Sequence, residues 1–569
     1  MIKGIDYPEW LTESGLKTLK NGYMLANENV FGMYRRIAHA SATRINRLDL
    51  ENKFYEAMAK NWLCPATPVA ANMGTDRGLP ISCFGLSVPD SVDGIYKSVH
   101  EMAMLSKHGG GVGIGMSRVR GRGAKIKNGV NGASEGVVPW AKVFDSATIA
   151  TSQGNVRRGA SSINLHVDHI DVEEFLRIRR QTGDVNRQCL NLNQCVVISD
   201  SFMQRVEAKD PAARKLWIEI LKTRLETGEP YLMFEDTVNR ANPQAYINNN
   251  LKVEMTNICS EITLHTDDDH SFVCCLSSLN AARWDEWKDT DLAEIAVYFL
   301  DGVVEEFIAK AKDIPGFERS VRFAMKSRAI GIGVLGWHTL LQSKMIPFDS
   351  FQAMMLNAAI FRSINEKATA ASKAMAISHG EPEWCKGTGT RHTHLMAVAP
   401  TRSNSIISGE VSYGIEPIPA NAYADKTSKG VFLIKNPTLE ALLKTKDLDD
   451  PIIWKSIVTN GGSIQHLATL TEDEKKVFLT AREINQMALI RQASQRQKFI
   501  DQAQSLNLFF PVNCDPNWFH QVHMEAWKSG VKTLYYCRSS SVLKADSSSR
   551  QAVEKVKIQS KDDCAACEG

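Results

Sequence analysis

The heptapeptide Thr256-Asn257-Ile258-Cys259-Ser260-Glu261-Ile262 sets an amide, a thiol and a carboxylate at alternating positions. In an extended segment alternate side chains point the same way, so the spacing predicts one surface carrying all three groups. The same alternation marks an ordinary solvated strand face, and what decides between the two is its company. Cys274-Cys275-Leu276-Ser277-Ser278-Leu279-Asn280 follows, and Ser82-Cys83-Phe84 lies upstream.

Outward from this segment the pattern is that of an α/β protein. From Pro65 onward, short apolar stretches split by Gly and Pro alternate with amphipathic helical runs. Cys195–Ser199 reads as a strand. Ser201–Glu226, Asp291–Lys312 and Glu366–Ser378 read as helices. Residues 1 to about 60 differ: Gly4–Leu19 and Asn29–Ala59 carry apolar residues at three- and four-residue spacing, with no Pro between Trp10 and Cys64. Three regions are expected: a helical one over 1–60, a catalytic α/β domain over 61–538, and a tail over 539–569.

That tail holds two serine triplets, Ser539–Ser541 and Ser547–Ser549, then a charged run ending Asp562-Asp563-Cys564-Ala565-Ala566-Cys567-Glu568-Gly569. Its few large apolar residues predict a mobile segment. A zinc site would need two more ligands, and no other Cys or His follows Ser539. Dithiol exchange with a second cysteine pair is the better use for Cys564 and Cys567.

Composition narrows the class. The chain has 569 residues, 43% hydrophobic and 23% charged, with a formal net charge of +3. Near-neutrality argues against a strongly electrostatic nucleic-acid binder. No apolar h-region opens the chain and no run approaches a membrane span, so a cytoplasmic protein without membrane contact is expected. In a reducing compartment the 12 cysteines point to redox or metal chemistry rather than a disulfide scaffold. Packing is the default role for Cys64, Cys189, Cys195, Cys385 and Cys514.

Taken in order, the motifs resemble those of class I ribonucleotide reductase large subunits. Asn257–Ile262 resembles the finger-loop motif. Leu534-Tyr535-Tyr536 resembles the paired tyrosines that pass a radical to that loop. Pro400-Thr401-Arg402-Ser403-Asn404-Ser405 and Gly414-Ile415-Glu416-Pro417 resemble the substrate-phosphate loop and its sequel. The match runs from about Pro65 to Gly569. It implies a ten-stranded α/β barrel with a central finger loop, preceded by the helical region, and no bound metal.

The resemblance also implies roles. Cys259 would carry the thiyl radical, Glu261 would act as base, and Asn257 would hold the ribose. Cys83 and Cys274 would be the reducing pair, since the family's Cys-x-Leu form aligns Cys274 and leaves Cys275 variable. Tyr536 would receive the hole and Tyr535 would relay it, both buried. A buried strand with locally satisfied hydroxyls is the alternative for that pair. Cys564 and Cys567 would re-reduce the active-site disulfide and be reset by a thioredoxin or glutaredoxin. Substrate contacts map to Thr67, Ser82, Cys83, Gly111, Asn257, Glu261, Arg402, Ser403 and Asn404.

Lys107-His108-Gly109-Gly110-Gly111-Val112-Gly113-Ile114-Gly115 invites a dinucleotide reading. The acidic residue expected about 20 positions on is replaced by a basic run, Arg118, Arg120, Arg122, Lys125 and Lys127. This run suits a nucleoside triphosphate; a solvated loop is the alternative. The resemblance maps contacts with dNTP or ATP specificity effectors to Asp90, Ser91, Val92, Lys107, Arg120 and Lys127. It maps the loop coupling effector to substrate to Ser152–Ala160. It further implies ribonucleoside diphosphate substrates, an effector-dependent homodimer, and a separate small subunit whose metal centre supplies the radical, with no cofactor covalently bound. With the helical run filling residues 1 to about 60, an N-terminal ATP cone is not expected, nor the overall-activity control that goes with it, while specificity regulation is expected to remain.

Two other readings compete. Cobalamin-dependent reductases carry Pro-Cys-Gly-Glu at the loop and lack the tyrosine pair; Ile258, Ser260 and Tyr535-Tyr536 set this chain apart. A catalytically silent nucleotide-binding regulator would have shed its chemistry, yet the five redox cysteines, Asn257 and Glu261 are present.

Overall fold

A computed structural model describes residues 6–126, 132–151, 159–180, 183–427, 430–511 and 513–539. The N-terminal region forms helices Glu13–Lys20, Val30–Arg44 and Glu51–Ala59. These are shorter than the periodicity suggests. The Thr12 side chain accepts from Gly15 N and starts the first helix, so residues 6–12 stay outside it. Asn46, at φ +55°, breaks the second run. Ser201–Glu226 likewise divides into Asp200–Glu207 and Pro211–Thr227, with Lys209 at φ +64° and Pro211 ending one helix and opening the next. By contrast Glu366–Ser378 sits inside a longer helix, Phe351–His379.

Among the described residues thirteen strands follow in chain order. They are β1 (Leu63–Pro65), β2 (Cys83–Ser87), β3 (Gly111–Gly115), β4 (Ala160–His166), β5 (Leu192–Ile198), β6 (Tyr231–Phe234), β7 (Phe272–Asn280) and β8 (Ile330–Leu335), then β9 (Ala422–Thr427), β10 (Gly430–Lys435), β11 (Leu508–Phe509), β12 (Thr533–Leu534) and β13 (Cys537–Arg538). Strands β2 to β6 are joined in parallel, each to the next. They are buried almost without interruption, as expected of strands covered on both faces.

A second parallel set completes a ring. β7 pairs with β8 in parallel. Bridges Ile332↔Met396 and Val398↔Gln504 add residues 395–398 and 502–509. β11 then pairs in parallel with β13, and Tyr535 N donates to Leu506 O. The two sets of five meet antiparallel twice, at β2/β7 and at β12/β6. The result is the ten-membered barrel that the resemblance implies. β1 adds to the end of β7 beyond β2.

Helices cover the outside. Leu292–Ala311 is buried nearly all round, wedged among β7, Val30–Arg44 and Phe351–His379. Inside its neighbourhood Asp301 is fully buried and paired with Arg328, Arg391 and His392. A second, small core of Leu439, Leu443, Trp454, Ile457 and Phe478 supports the β9/β10 hairpin. No described helix is long and apolar enough to cross a membrane.

Candidate active site

The heptapeptide crosses the barrel lumen. On one wall Asn164 of β4 grips Thr256 twice: its Nδ2 donates to Thr256 O at 3.2 Å, and Thr256 N donates to its Oδ1 at 3.1 Å. On the far wall Ala503 N donates to Glu261 O at 2.9 Å, and Ser505 Oγ lies 2.6 Å from Cys259 O. Gly113 of β3 makes the approach possible, because a Cβ there would stand 2.3 Å from Thr256 O.

The segment is not the extended strand that alternation suggests. Ser260 N donates to Asn257 O and Asn257 N to Ile262 O, both at 3.3 Å, and Ser260 has φ +68°. With its backbone partnered by itself and by the barrel walls, the chain turns instead of pairing in a ladder. Asn257, Cys259 and Glu261 are nevertheless all buried, Cys259 to 2% exposure.

Cys83 and Cys274 stand directly opposite across the β2/β7 seam. Opposed residues in an antiparallel pair have Cα atoms roughly 4.5–5.5 Å apart, within disulfide range. All ten described cysteines are thiols. Successive strand residues face opposite ways. Accordingly Cys275 Sγ points outward to Leu300 O on the covering helix, at 3.8 Å, while Cys274 Sγ accepts from Gln502 Nε2 at 3.4 Å. Burial pushes the Cys274 thiol up, and nearby Glu261 adds to the effect.

Burial likewise raises the Glu261 carboxyl to about 7, against the smaller opposing influence of its own backbone and the Asn257 and Ser505 side chains. Glu261 Oε1 and Asn257 Nδ2 have no hydrogen-bond partner among the described residues. A buried acceptor and a buried donor left open together are costly and fit a ligand carrying hydroxyl groups.

Where Pro65 of β1 meets Ser277 of β7, the chain runs on to Thr67. Thr67 Oγ1 donates to Asn404 Oδ1 at 3.4 Å, and Asn404 Nδ2 to Pro65 O at 3.1 Å. Gly111 N donates to Ser82 O at 2.7 Å, beside the Cys83↔Gly111 pair. Thr401 at φ +53° opens the short helix Arg402–Ile407, which carries Arg402, Ser403 and Asn404. Two patches are thus assembled beside the seam: Thr67 with Asn404, and Ser82, Cys83 and Gly111.

Tyr535 and Tyr536 follow the other seam. Their ring centroids are 4.4 Å apart. Tyr535 is buried, but Tyr536 is only half-buried, because it ends at the outer wall with the Arg538 guanidinium 4.3 Å over its ring. Sequence inspection missed a third ring: Tyr231 of β6 lies 4.7 Å from Tyr535 and 4.9 Å from Tyr536. It also missed Asn164, Gln502 and Ser505. All four depend on strand neighbours remote in the chain, and only the glycine-rich run around Gly113 advertises a close approach.

Of the effector candidates, Asp90, Ser91, Val92 and Arg120 come together. Arg120 Nε donates to Asp90 Oδ1 at 2.9 Å, and Ser91 caps the helix Val92–Lys107, whose first residue is 62% exposed. Lys107 lies at that helix's other end, roughly 22 Å away at 1.5 Å per residue. Arg118 pairs with Glu254 and Arg122 with Glu135 and Glu174, so much of the basic run is neutralised. The glycines lie in β3 after a helix, the reverse of the strand-to-helix order of a dinucleotide fingerprint. Lys127, Ser152–Arg158, Cys564 and Cys567 lie outside the described residues. Among the described residues no group of three or more His, Cys, Asp or Glu is arranged to hold a metal.

The chain matches the family described as "Ribonucleotide reductase, barrel domain" over 81–212, 209–387 and 382–537, and "Ribonucleotide reductase, all-alpha domain" over 9–78. The putative ribonucleoside-diphosphate reductase large subunit of Frog virus 3 (isolate Goorha) is 40% identical over 92% of this chain and 93% of its own length. The large subunit of Invertebrate iridescent virus 3 is 34% identical over 98% of each chain. Among solved structures, the Actinobacillus ureae class Id ribonucleotide reductase alpha subunit superposes with a TM-score of 0.87 at 40% identity, covering 94% of this chain and 98% of that one. The chain belongs to the ribonucleotide reductase large-subunit family.

Proposed function

We propose that this protein is the catalytic large subunit of a class I ribonucleoside-diphosphate reductase. The observation that carries the reading is the Cys83–Cys274 pair opposed across a barrel seam, with Cys259, Asn257 and Glu261 buried on the loop that crosses the lumen. A thiyl radical on Cys259 takes the 3′ hydrogen of the ribose, and Glu261 takes the 3′-hydroxyl proton. Asn257 orients the sugar. The 2′ oxygen leaves as water while Cys83 and Cys274 become a disulfide, and Cys259 returns the hydrogen to C3′. The balance is one ribonucleotide and two thiols in, one deoxyribonucleotide, one disulfide and one water out.

The diphosphate is held by Thr67, Ser82 and the Arg402–Asn404 turn, whose amides and hydroxyls suit phosphate oxygens. The hole comes from a small subunit through Tyr536 and Tyr535, and Cys564 and Cys567 reset the disulfide at the expense of a thioredoxin or glutaredoxin. Specificity effectors bind at Asp90, Ser91, Val92 and Arg120. Because Lys107 is a helix length away from that patch, it completes an effector site only from a second copy, which favours effector-dependent dimerisation.

The test is ribonucleoside diphosphate reduction with and without a class I small subunit, and separately with adenosylcobalamin. Turnover that requires the small subunit is expected. Turnover with cobalamin alone would overturn the class assignment.

A further inference from the structure

The third tyrosine comes with a shared donor. Asn193 of β5 places its Nδ2 2.7 Å from Glu229 Oε1, 2.7 Å from the Tyr231 hydroxyl and 2.9 Å from the Tyr536 hydroxyl. A carboxylate only accepts, so the amide nitrogen and not its oxygen must face this cluster. Glu229 is itself fixed and buried: its Oε2 accepts from Gln194 N at 2.8 Å and faces Arg179 Nε at 3.4 Å. The amide therefore has two protons for three acceptors. With one committed to Glu229, the other is divided between Tyr231 and Tyr536.

We propose that Asn193 is a positioning residue for radical transfer: clamped by Glu229, it donates to the Tyr536 oxygen and shares that donation with Tyr231. This rests on reading Tyr535–Tyr536 as the relay. The step it acts on is Tyr536–O• + Tyr535–OH → Tyr536–OH + Tyr535–O•, in which one electron and one proton move between tilted rings 4.4 Å apart and no further oxidant is needed. A donated N–H bond pulls density from the phenolic oxygen and so sets how readily Tyr536 holds the hole. Tyr231 lies at nearly the same distance from both rings. Its hydroxyl competes with Tyr536 for the same proton.

The competition predicts changes of opposite sign. In the holoenzyme with small subunit, substrate and effector, 3-aminotyrosine at position 536 traps the radical there, and high-field EPR reads its gx component, which falls as hydrogen bonding to the oxygen strengthens. Asn193→Leu should raise gx, and Tyr231→Phe, which frees the amide proton for position 536, should lower it. In chains with natural Tyr536, Asn193→Leu should slow turnover about three- to tenfold, the worth of one neutral hydrogen bond. Unchanged gx in both variants, or shifts in the same direction, would overturn the proposal. If Asn193→Leu does not fold, the sign of the Tyr231→Phe shift decides alone. Absence of any radical at position 536 in the parent chain would remove the relay reading, and this proposal with it.

Discussion

The two seams of the barrel have the same topology and opposite character. At both, one parallel five-stranded set meets the other antiparallel. The β2/β7 seam is dry and carries sulfur: Cys83 and Cys274 are 3% and 1% exposed and face the lumen. The β6/β12 seam pairs Leu232 with Leu534 and Met233 with Thr533, then runs into an aromatic cluster that reaches the outer wall at Tyr536. A sealed seam suits two-electron thiol chemistry that must exclude water. A seam opening outward suits a hole delivered one electron at a time by another chain.

The harshest way to break this comparison is to silence each side's link to Cys259. Cys259→Ser should reduce turnover by at least about 10³-fold, because an alkoxyl radical is not accessible from the relay. Tyr535→Phe should match it in the assay driven by the small subunit. Circular dichroism should leave both folds unchanged. If Tyr535→Phe kept full turnover, the aromatic seam would be packing alone.

Next in size is the contrast between adjacent cysteines. Cys274→Ser should abolish multiple turnover, whereas Cys275→Ser, altering a thiol that faces the Leu300 carbonyl outside the barrel, should keep kcat within about twofold and cost roughly 1 kcal/mol of stability. Equal losses would mean that the sulfur seam is not one-sided. Gly113→Ala comes third. Its Cβ meets the Thr256 carbonyl, a backbone atom that cannot swing away, so the loop must shift. Overpacking of this kind costs about 1–3 kcal/mol, and displacement of a reacting group by ~1 Å costs on the order of 10² in rate. A melting curve and a kcat measurement on one sample check both.

How much of this is legible in the chain varies by region, for physical reasons. Period-two alternation sets Cys274 and Cys275 on opposite faces because Phe272–Asn280 is a nine-residue strand, while the choice of Cys274 as the inward one comes from the family's Cys-x-Leu form. The same alternation misleads for Asn257, Cys259 and Glu261, where no ladder holds the backbone extended and Ser260 turns the chain. Periodicity overextends the helices at Asn46 and Lys209, since it continues across a single left-handed residue. Barrel closure is hidden altogether: Met396, Gln504 and Leu506 are joined to their neighbours by isolated bridges and single hydrogen bonds, too short to leave a strand signature. Tyr231 and Asn193 sit in unremarkable strands and acquire meaning only beside Tyr536, more than 300 positions away.

Glu261 sharpens the comparison most finely, because its charge belongs to the dry side. Its folded carboxyl titrates at about 7 against 4.5 for the free group, chiefly through burial. For Glu261 to serve as the proposed base it must be ionised, so kcat/KM should rise with pH through about 7 and fall roughly tenfold per unit below it. Stability runs the other way. A raised carboxyl pKa means that the folded state holds the proton more tightly, so the contribution is fully present below about pH 4.5 and lost as pH climbs to about 7. Glu261→Gln keeps the neutral shape and cannot ionise. It should lose turnover at every pH, yet gain stability relative to the parent as pH rises from 4.5 to 7, by up to about 3 kcal/mol. Denaturation at pH 5 and pH 8 measures this directly. A difference independent of pH would mean that water reaches Glu261, and the β2/β7 side of the lumen would then be no drier than the tyrosine side.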